Sequence, residues 1–109
     1  MAKAVLLAWA SPANAESVAE FHQWYDETHI PQIREAIPSI SAVTRYELTD
    51  PASGGQGRFL AVYELEDSDL GAAAAALGEG IGAGRIIMSP AMDLASDPPA
   101  TQWYTRHPN

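Results

Sequence analysis

The sequence has no cysteine. That absence excludes a disulfide framework, zinc ribbons, thiolate-held iron–sulfur centres and a cysteine nucleophile. Basic residues are scarce: six Lys and Arg stand against 14 Asp and Glu, a formal net charge of −8. Such an acidic surface repels phosphate backbones and anionic lipid, so neither nucleic acid nor a membrane is an expected partner. No apolar run approaches the roughly 20 residues of a membrane span, and no basic-then-apolar leader opens the chain, which reads as cytoplasmic. Also missing are an H-E-x-x-H zinc motif, a P-loop, a G-x-G-x-x-G turn before a helix and a G-x-S-x-G elbow. These motifs therefore assign neither metal nor cofactor.

What remains is a chain of 109 residues, 47% apolar and 18% charged, enough to bury one core and too short for separate cofactor and substrate domains. Residues 1–109 read as one domain. Ala4–Ala10 (AVLLAWA) is a short apolar run closed by Ser11-Pro12, a strand buried on both faces. Helical spacing follows from Ala15 to about Glu27, with Val18, Phe21, Tyr25 and Thr28 along one stripe. Pro31 lacks an N–H, so a break or kink is expected near Thr28–Ile30, with a further helical turn running to Ala36.

Ile40–Thr49 and Arg58–Glu66 are β-branched and aromatic, and the Asp50–Gly57 loop between them makes a hairpin. A second helix is expected from Ser68 to about Gly78, with Asp67 and Asp69 at its positive end and Gly80, Gly82 and Gly84 beyond it. Thr101–Arg106 reads as the last strand. The order β-α-β-β-α-β predicts an α+β, ferredoxin-like fold: a four-stranded antiparallel sheet with both helices on one face. Strands apolar on both faces need a cover for the second face. Two such sheets packed together form a dimeric α+β barrel, so a homodimer is expected.

Reactive side chains concentrate in Phe21-His22-Gln23-Trp24-Tyr25-Asp26-Glu27-Thr28-His29-Ile30-Pro31. On a regular helix, with His22 at zero, Asp26 falls near about 40°, His29 near about −20° and Tyr25 near about −60°. Those four share a side, while Trp24 and Glu27 point away. Asp26 is three residues from His29 and four from His22, spacings at which a carboxylate orients an imidazole and keeps it basic. His29 is thus the candidate proton carrier, Asp26 its orienting group, and Tyr25 the holder of a substrate oxygen. The competing assignment makes His29 a structural tie at the Pro31 kink and Tyr25 a core residue. His22 is a further substrate-side candidate. Arg45 suits either a substrate carboxylate or an ion pair with Glu64.

The run WYDETHIP, Trp24–Pro31, resembles the W-Y-D-x-x-H-x-P signature of EthD-like proteins in the dimeric α+β barrel superfamily. The element order agrees with that resemblance over nearly the whole chain, and Trp103-Tyr104 falls in the terminal strand where such proteins end. The resemblance implies that His29 is the motif histidine, with Tyr25 and Asp26 beside it. It does not fix a reaction, because the superfamily spans cofactor-independent monooxygenases, cyclases, isomerases and lyases.

The expected function is a cofactor-independent enzyme of lyase, isomerase or cyclase type acting on a hydrophobic aromatic or polyketide-like molecule. Alternatives are a cofactor-free monooxygenase of phenols and a non-catalytic small-molecule binder. Trp9, Tyr46, Tyr63, Ile86 and Met88 are the candidate pocket lining, together with His22. The segment Ile81–Pro99, glycine-rich at one end and proline-rich at the other, is either a lid over that pocket or a dimer-contact arm.

Overall fold

A computed structural model describes residues 2–107. Strand β1 is Ala4–Ala10, as the apolar run predicts. A 3₁₀ turn, Ala15–Ser17, follows with the Asn14 side chain accepting from the Ser17 N–H. Next come helix α1 (Val18–Trp24), a π-turn (Tyr25–His29) and helix α2 (Ile30–Ala36) as one continuous rod. The helix therefore does not break before Pro31. It widens instead: the Ile30 N–H bonds the Tyr25 carbonyl five residues back. Pro31 has no N–H, and its ring would press on the carbonyl four residues earlier, so one wide turn accommodates it.

Strands β2 (Ile40–Asp50) and β3 (Gly54–Leu65) form a hairpin with a shorter loop than expected. Pairing reaches Asp50 opposite Gly54, and Gly54 and Gly57 take φ of 93° and 74°, which a side chain would strain. Helix α3 is Leu70–Gly82, capped by Asp69, whose carboxylate accepts from the Ala72 N–H. It runs past Gly78 because Gly80 serves packing. A Cβ there would lie 2.8 Å from Ile86 Cδ1, so the bare backbone makes the socket that Ile86 fills. Strand β4 is Ala100–Thr105.

The sheet order is β2-β3-β1-β4, with β1 antiparallel to both β3 and β4 and β2 antiparallel to β3. This is the ferredoxin-like α+β fold. Leu6 and Tyr63 pair on the helix-covered face, where they join Phe21, Tyr25, Ile33, Leu65 and Ile86 in the core. The opposite face carries Val5, Leu7, Trp9, Leu60 and Val62 from the central strands, with Tyr46 and Tyr104 at 55% and 50% exposure toward the edges. Among the described residues nothing covers that face, and its central side chains stay partly exposed. None of the helices among the described residues is long and apolar enough to cross a membrane.

Candidate active site

The π-turn decides which side chains meet. Adding a residue to the turn brings positions five apart into line. Trp24, expected to point away, stacks on His29 with ring centroids 4.5 Å apart and an interplanar angle of 30°. Tyr25 meets the same imidazole edge-on at 4.9 Å. His29 is 9% exposed. Burial pushes its pKa down to about 4, only partly opposed by a hydrogen bond with the Ile87 backbone. The ring is therefore neutral near pH 7, and its Nδ1 is buried without a hydrogen-bond partner.

His29 and Tyr25 border a cavity of about 180 Å³ between the sheet and the helices. Leu6, Ala8, Ala10, Ile33, Leu77 and Met92 line its inner part, and Ile81, Met88 and Pro99 stand toward its opening. Of the expected lining, Ile86 and Met88 are present, and Trp9 borders the cavity at the end of β1 although strand alternation places it opposite Leu60 on the open sheet face. The walls are apolar, with one imidazole and one phenol among them, the pattern of a site for a small hydrophobic molecule. A wider groove of about 410 Å³ runs outside, between α2 and α3, but Gln32, Glu35, Glu79 and Arg85 make it polar. It holds none of the reactive aromatic cluster.

Five expectations need correction. Asp26 does not orient His29: its Oδ1 accepts from Arg45 Nη1 at 3.2 Å, and its side chain is 57% exposed. The wide turn carries Asp26 round toward β2, where Arg45 reaches up from the helix-covered face. His22 joins that cluster rather than the cavity, its Nδ1 lying 3.1 Å from the same Arg45 Nη1. Burial and the neighbouring guanidinium both hold His22 below the ordinary imidazole pKa. A protonated Arg45 donates, so His22 Nδ1 accepts and the ring is neutral.

Arg45 is neither a substrate clamp in this cavity nor the partner of Glu64, which pairs with Val5 and Ala42 across the other face. Its guanidinium carbon lies 4.4 Å from the Tyr25 ring centroid, a cation–π contact made beneath α1. Tyr46 does not line the cavity either, because its partner Leu60 belongs to the open sheet face. Tyr63 lies behind the cavity wall with its hydroxyl 3.5 Å from that of Tyr25. Burial raises the pKa of both phenols, so both stay protonated as hydrogen-bond donors.

The far half of Ile81–Pro99 is anchored. Arg58 Nη1 donates to the Asp97 carbonyl and to Ser11 Oγ, and Nη2 donates to the Pro98 carbonyl, each at 3.1 Å. The Asp93 carboxylate accepts from the N–H groups of Ala95, Ser96 and Asp97, and these contacts hold it below the usual carboxylate pKa. The near half differs: after Gly84, with φ of 78°, the chain rises over the cavity with Ile87 53% exposed. Gln32 Oε1 accepts from the Ile87 N–H at 2.8 Å. Sequence reasoning misplaced Trp24, and it passed over Gln32 and the Arg45–Asp26 pairing. A signal for the first was the Pro31 position itself, since a proline inside a helix marks a turn that must widen. Among the described residues, no three His, Asp or Glu side chains converge as a metal site would require.

No protein-family model matches the chain, and none of the curated proteins matches it. Solved structures do. A dimeric ferredoxin-like protein from an uncultured marine organism is 12% identical over 97% of this chain and 96% of its own, with a TM-score of 0.59. An ethyl tert-butyl ether D (EthD) family protein from Bacillus halodurans is 13% identical, covering 95% and 99%, with a TM-score of 0.51. A Streptomyces coelicolor monooxygenase in complex with nanaomycin D is 12% identical, covering 99% and 90%, with a TM-score of 0.54. At these identities the likeness is one of fold, and it agrees with the ferredoxin-like topology described above.

Proposed function

We propose that the protein is a cofactor-independent enzyme that removes a proton from a small, hydrophobic phenol or enol. The observation that carries this is His29: a buried imidazole, neutral near pH 7, bordering an apolar cavity. A substrate hydroxyl gives its proton to the imidazole, and the imidazolium so formed is paired with the oxyanion in a low-dielectric site. The Tyr25 hydroxyl donates a hydrogen bond to the same oxygen. An isolated imidazole with a pKa of about 4 is a weak base, so the proton moves only when the anion is there to hold it. The imidazolium is then a strong acid, able to return the proton at another atom. One residue acting as base and then acid is sufficient for an isomerase, cyclase or lyase.

The monooxygenase among the similar structures, with its bound nanaomycin D, favours a second reading on the same first step. There the substrate anion supplies electrons to dioxygen; one oxygen atom enters the ring as a carbonyl and the other leaves as water, turning a phenol into a quinone. The cavity of about 180 Å³ compares with the roughly 150 Å³ that holds benzene in an engineered site. It suits one ring; a larger polyketide would extend through the opening. The open sheet face is assigned to a second copy, giving a homodimer that works in the cytoplasm.

Turnover of a panel of phenols and enols, followed by product analysis and an oxygen electrode, tests the proposal. His29→Ala should lower turnover by about 10²–10⁴ while the fold is retained. Oxygen uptake equal to product selects the oxygenase, and turnover without oxygen selects the isomerase or lyase. A folded His29→Ala protein with wild-type turnover would remove the mechanism, and tight binding without any turnover would leave a binding protein.

A further inference from the structure

The cavity is walled without charge. Among the described residues, no Lys, Arg, Asp or Glu lines it. The guanidinium groups of Arg45, Arg58 and Arg85 are instead taken up by Asp26, Asp97 and Glu79. Polar groups in the lining come down to the His29 imidazole, the Tyr25 phenol, the Trp9 indole and the Thr101 hydroxyl. His29 and Tyr25 are buried, whereas Ile81 and Met88, which line the same cavity, are 46% and 41% exposed. A hydroxyl bound by the first pair therefore enters first, and whatever lies opposite it on the ring points to the mouth.

The mouth is a fixed apolar surface. Gly84, with its positive φ, turns the chain back after α3, its N–H bonding the Ile81 carbonyl and the Arg85 and Ile86 N–H groups bonding that of Gly80. Ile86 seats in the Gly80 socket, and Gln32 Oε1 accepts the Ile87 N–H at 2.8 Å. Met88 is thereby held at the same opening as Ile81, with exposed Ile87 beside it. Single exposed apolar residues are ordinary; a group of them continuing the lining of an apolar cavity is an extension of that cavity. At about 180 Å³ the cavity takes one ring, so a substituent has to leave through the mouth. A carboxylate carried inside would lose its water, meet no cation and lie in the field of a chain with a net charge of −8.

We propose that the substrate is an uncharged phenol-like ring bearing an apolar substituent opposite its hydroxyl, the ring filling the cavity and the substituent leaving against Ile81 and Met88. The inference rests on the reading of His29 and Tyr25 as the groups that receive the hydroxyl, and it adds what the rest of the molecule must be. Ring carboxylates and other anionic phenols are excluded by the absence of a partner, and short phenols bind weakly because the rim stays wet.

Calorimetric titration at neutral pH with para-cresol, para-ethylphenol, para-propylphenol and para-butylphenol tests this without turnover. Each methylene laid against the rim should tighten binding by about two- to fourfold, for half to full burial. Para-hydroxyphenylpropanoate, which has the propyl shape with a charged end, should bind at least about tenfold more weakly than para-propylphenol. Ile81→Lys puts an ammonium on the rim; it should flatten the series and strengthen the carboxylate by about tenfold. Met88→Lys carries the same comparison if Ile81→Lys does not fold. A flat series in the wild type, a carboxylate bound as well as the propyl compound, or lysine variants that leave both unchanged would overturn the inference while the proton step stands. Failure of the proton step reads differently: the series keeps its slope and His29→Ala keeps its turnover. Binding of no member removes the cavity as the site, and both readings with it.

Discussion

Acidification from pH 7.5 to pH 5 should cost the protein about 2 kcal/mol of stability through His29 alone. In the unfolded chain this imidazole titrates at the ordinary 6.5, whereas burial in the folded protein holds it at about 4. Below the higher value the unfolded chain binds a proton that the folded chain refuses. Stability therefore falls as pH drops through that window, and the loss levels off below the lower value. The complete shift corresponds to about 3.4 kcal/mol; at pH 5 the unfolded ring is almost fully protonated and the folded one hardly at all, which gives about 2 kcal/mol. For a domain of this size that is a fall in Tm of about 8–16 °C.

The assay is urea unfolding of wild type and His29→Gln at both pH values and one fixed protein concentration, since dimerisation makes stability concentration-dependent. The variant is less stable throughout, because it changes a packed ring, but only the difference between the two pH values matters. His22 is also held low, by burial and by Arg45, yet it is present in both proteins and cancels. Wild type should lose about 2 kcal/mol more than His29→Gln between pH 7.5 and pH 5. Equal losses in the two proteins would refute a buried, neutral His29, and with it the premise of the proton step.

Other outcomes follow from the same geometry. Asp26→Asn should change turnover by less than about fivefold, since an exposed ion pair is worth at most about 1 kcal/mol and Asp26 faces Arg45; a loss on the His29→Ala scale would return it to the site. Arg45→Met should raise the His22 titration midpoint in an NMR titration, because it removes a repelling charge and leaves Asp26 nearby; a lowered midpoint would contradict the cluster. Sedimentation should give twice the 11.7 kDa chain mass, and Val62→Lys on the open sheet face should give the monomer; a monomeric wild type would sink the dimer. Ile86→Ala should destabilise by about 2–5 kcal/mol in chemical denaturation and admit bulkier phenols to the enlarged cavity; unchanged stability would remove Ile86 from its socket.

The sheet was legible because its strands announce themselves locally. Ala4–Ala10 is apolar throughout as a central strand covered on one face by helices, and the β2–β3 hairpin is marked by β-branched runs either side of Pro51 and Gly54. Helix α3 was legible at its start through Asp69. Its end was not, because Gly80 reads as a helix breaker until Ile86, six residues on, is seen occupying the space of its missing side chain. Half the cavity lining was similarly out of reach. Tyr46 and Tyr63 are equally aromatic in sequence, and only the register opposite Leu60 and Leu6 shows that they fall on different faces. Arg45 stands out in the sequence as a basic residue in a middle strand, but its pairing with Asp26 depends on where a helix lies above β2.

The misplacement of Asp26 and Trp24 has a single cause, the period of the helix. At about 100° per residue, Asp26 and His29 share a side and Trp24 faces away. The arithmetic is right for α1 and for α2, and wrong for the one turn between them. Pro31 forbids the usual bond to the carbonyl four back, and the chain could answer by breaking or by widening. It widens, because a break would expose Phe21 and Ile33, which are 0% and 4% exposed on the two sides of the turn and belong to one core. Burial thus keeps the rod continuous, continuity forces the Ile30-to-Tyr25 bond, and that bond turns His29 under Trp24 and away from Asp26. The exchange has a chemical consequence. A histidine held by a carboxylate would be a standing base; one packed between two aromatic rings is neutral and acquires basicity only from the anion its substrate leaves.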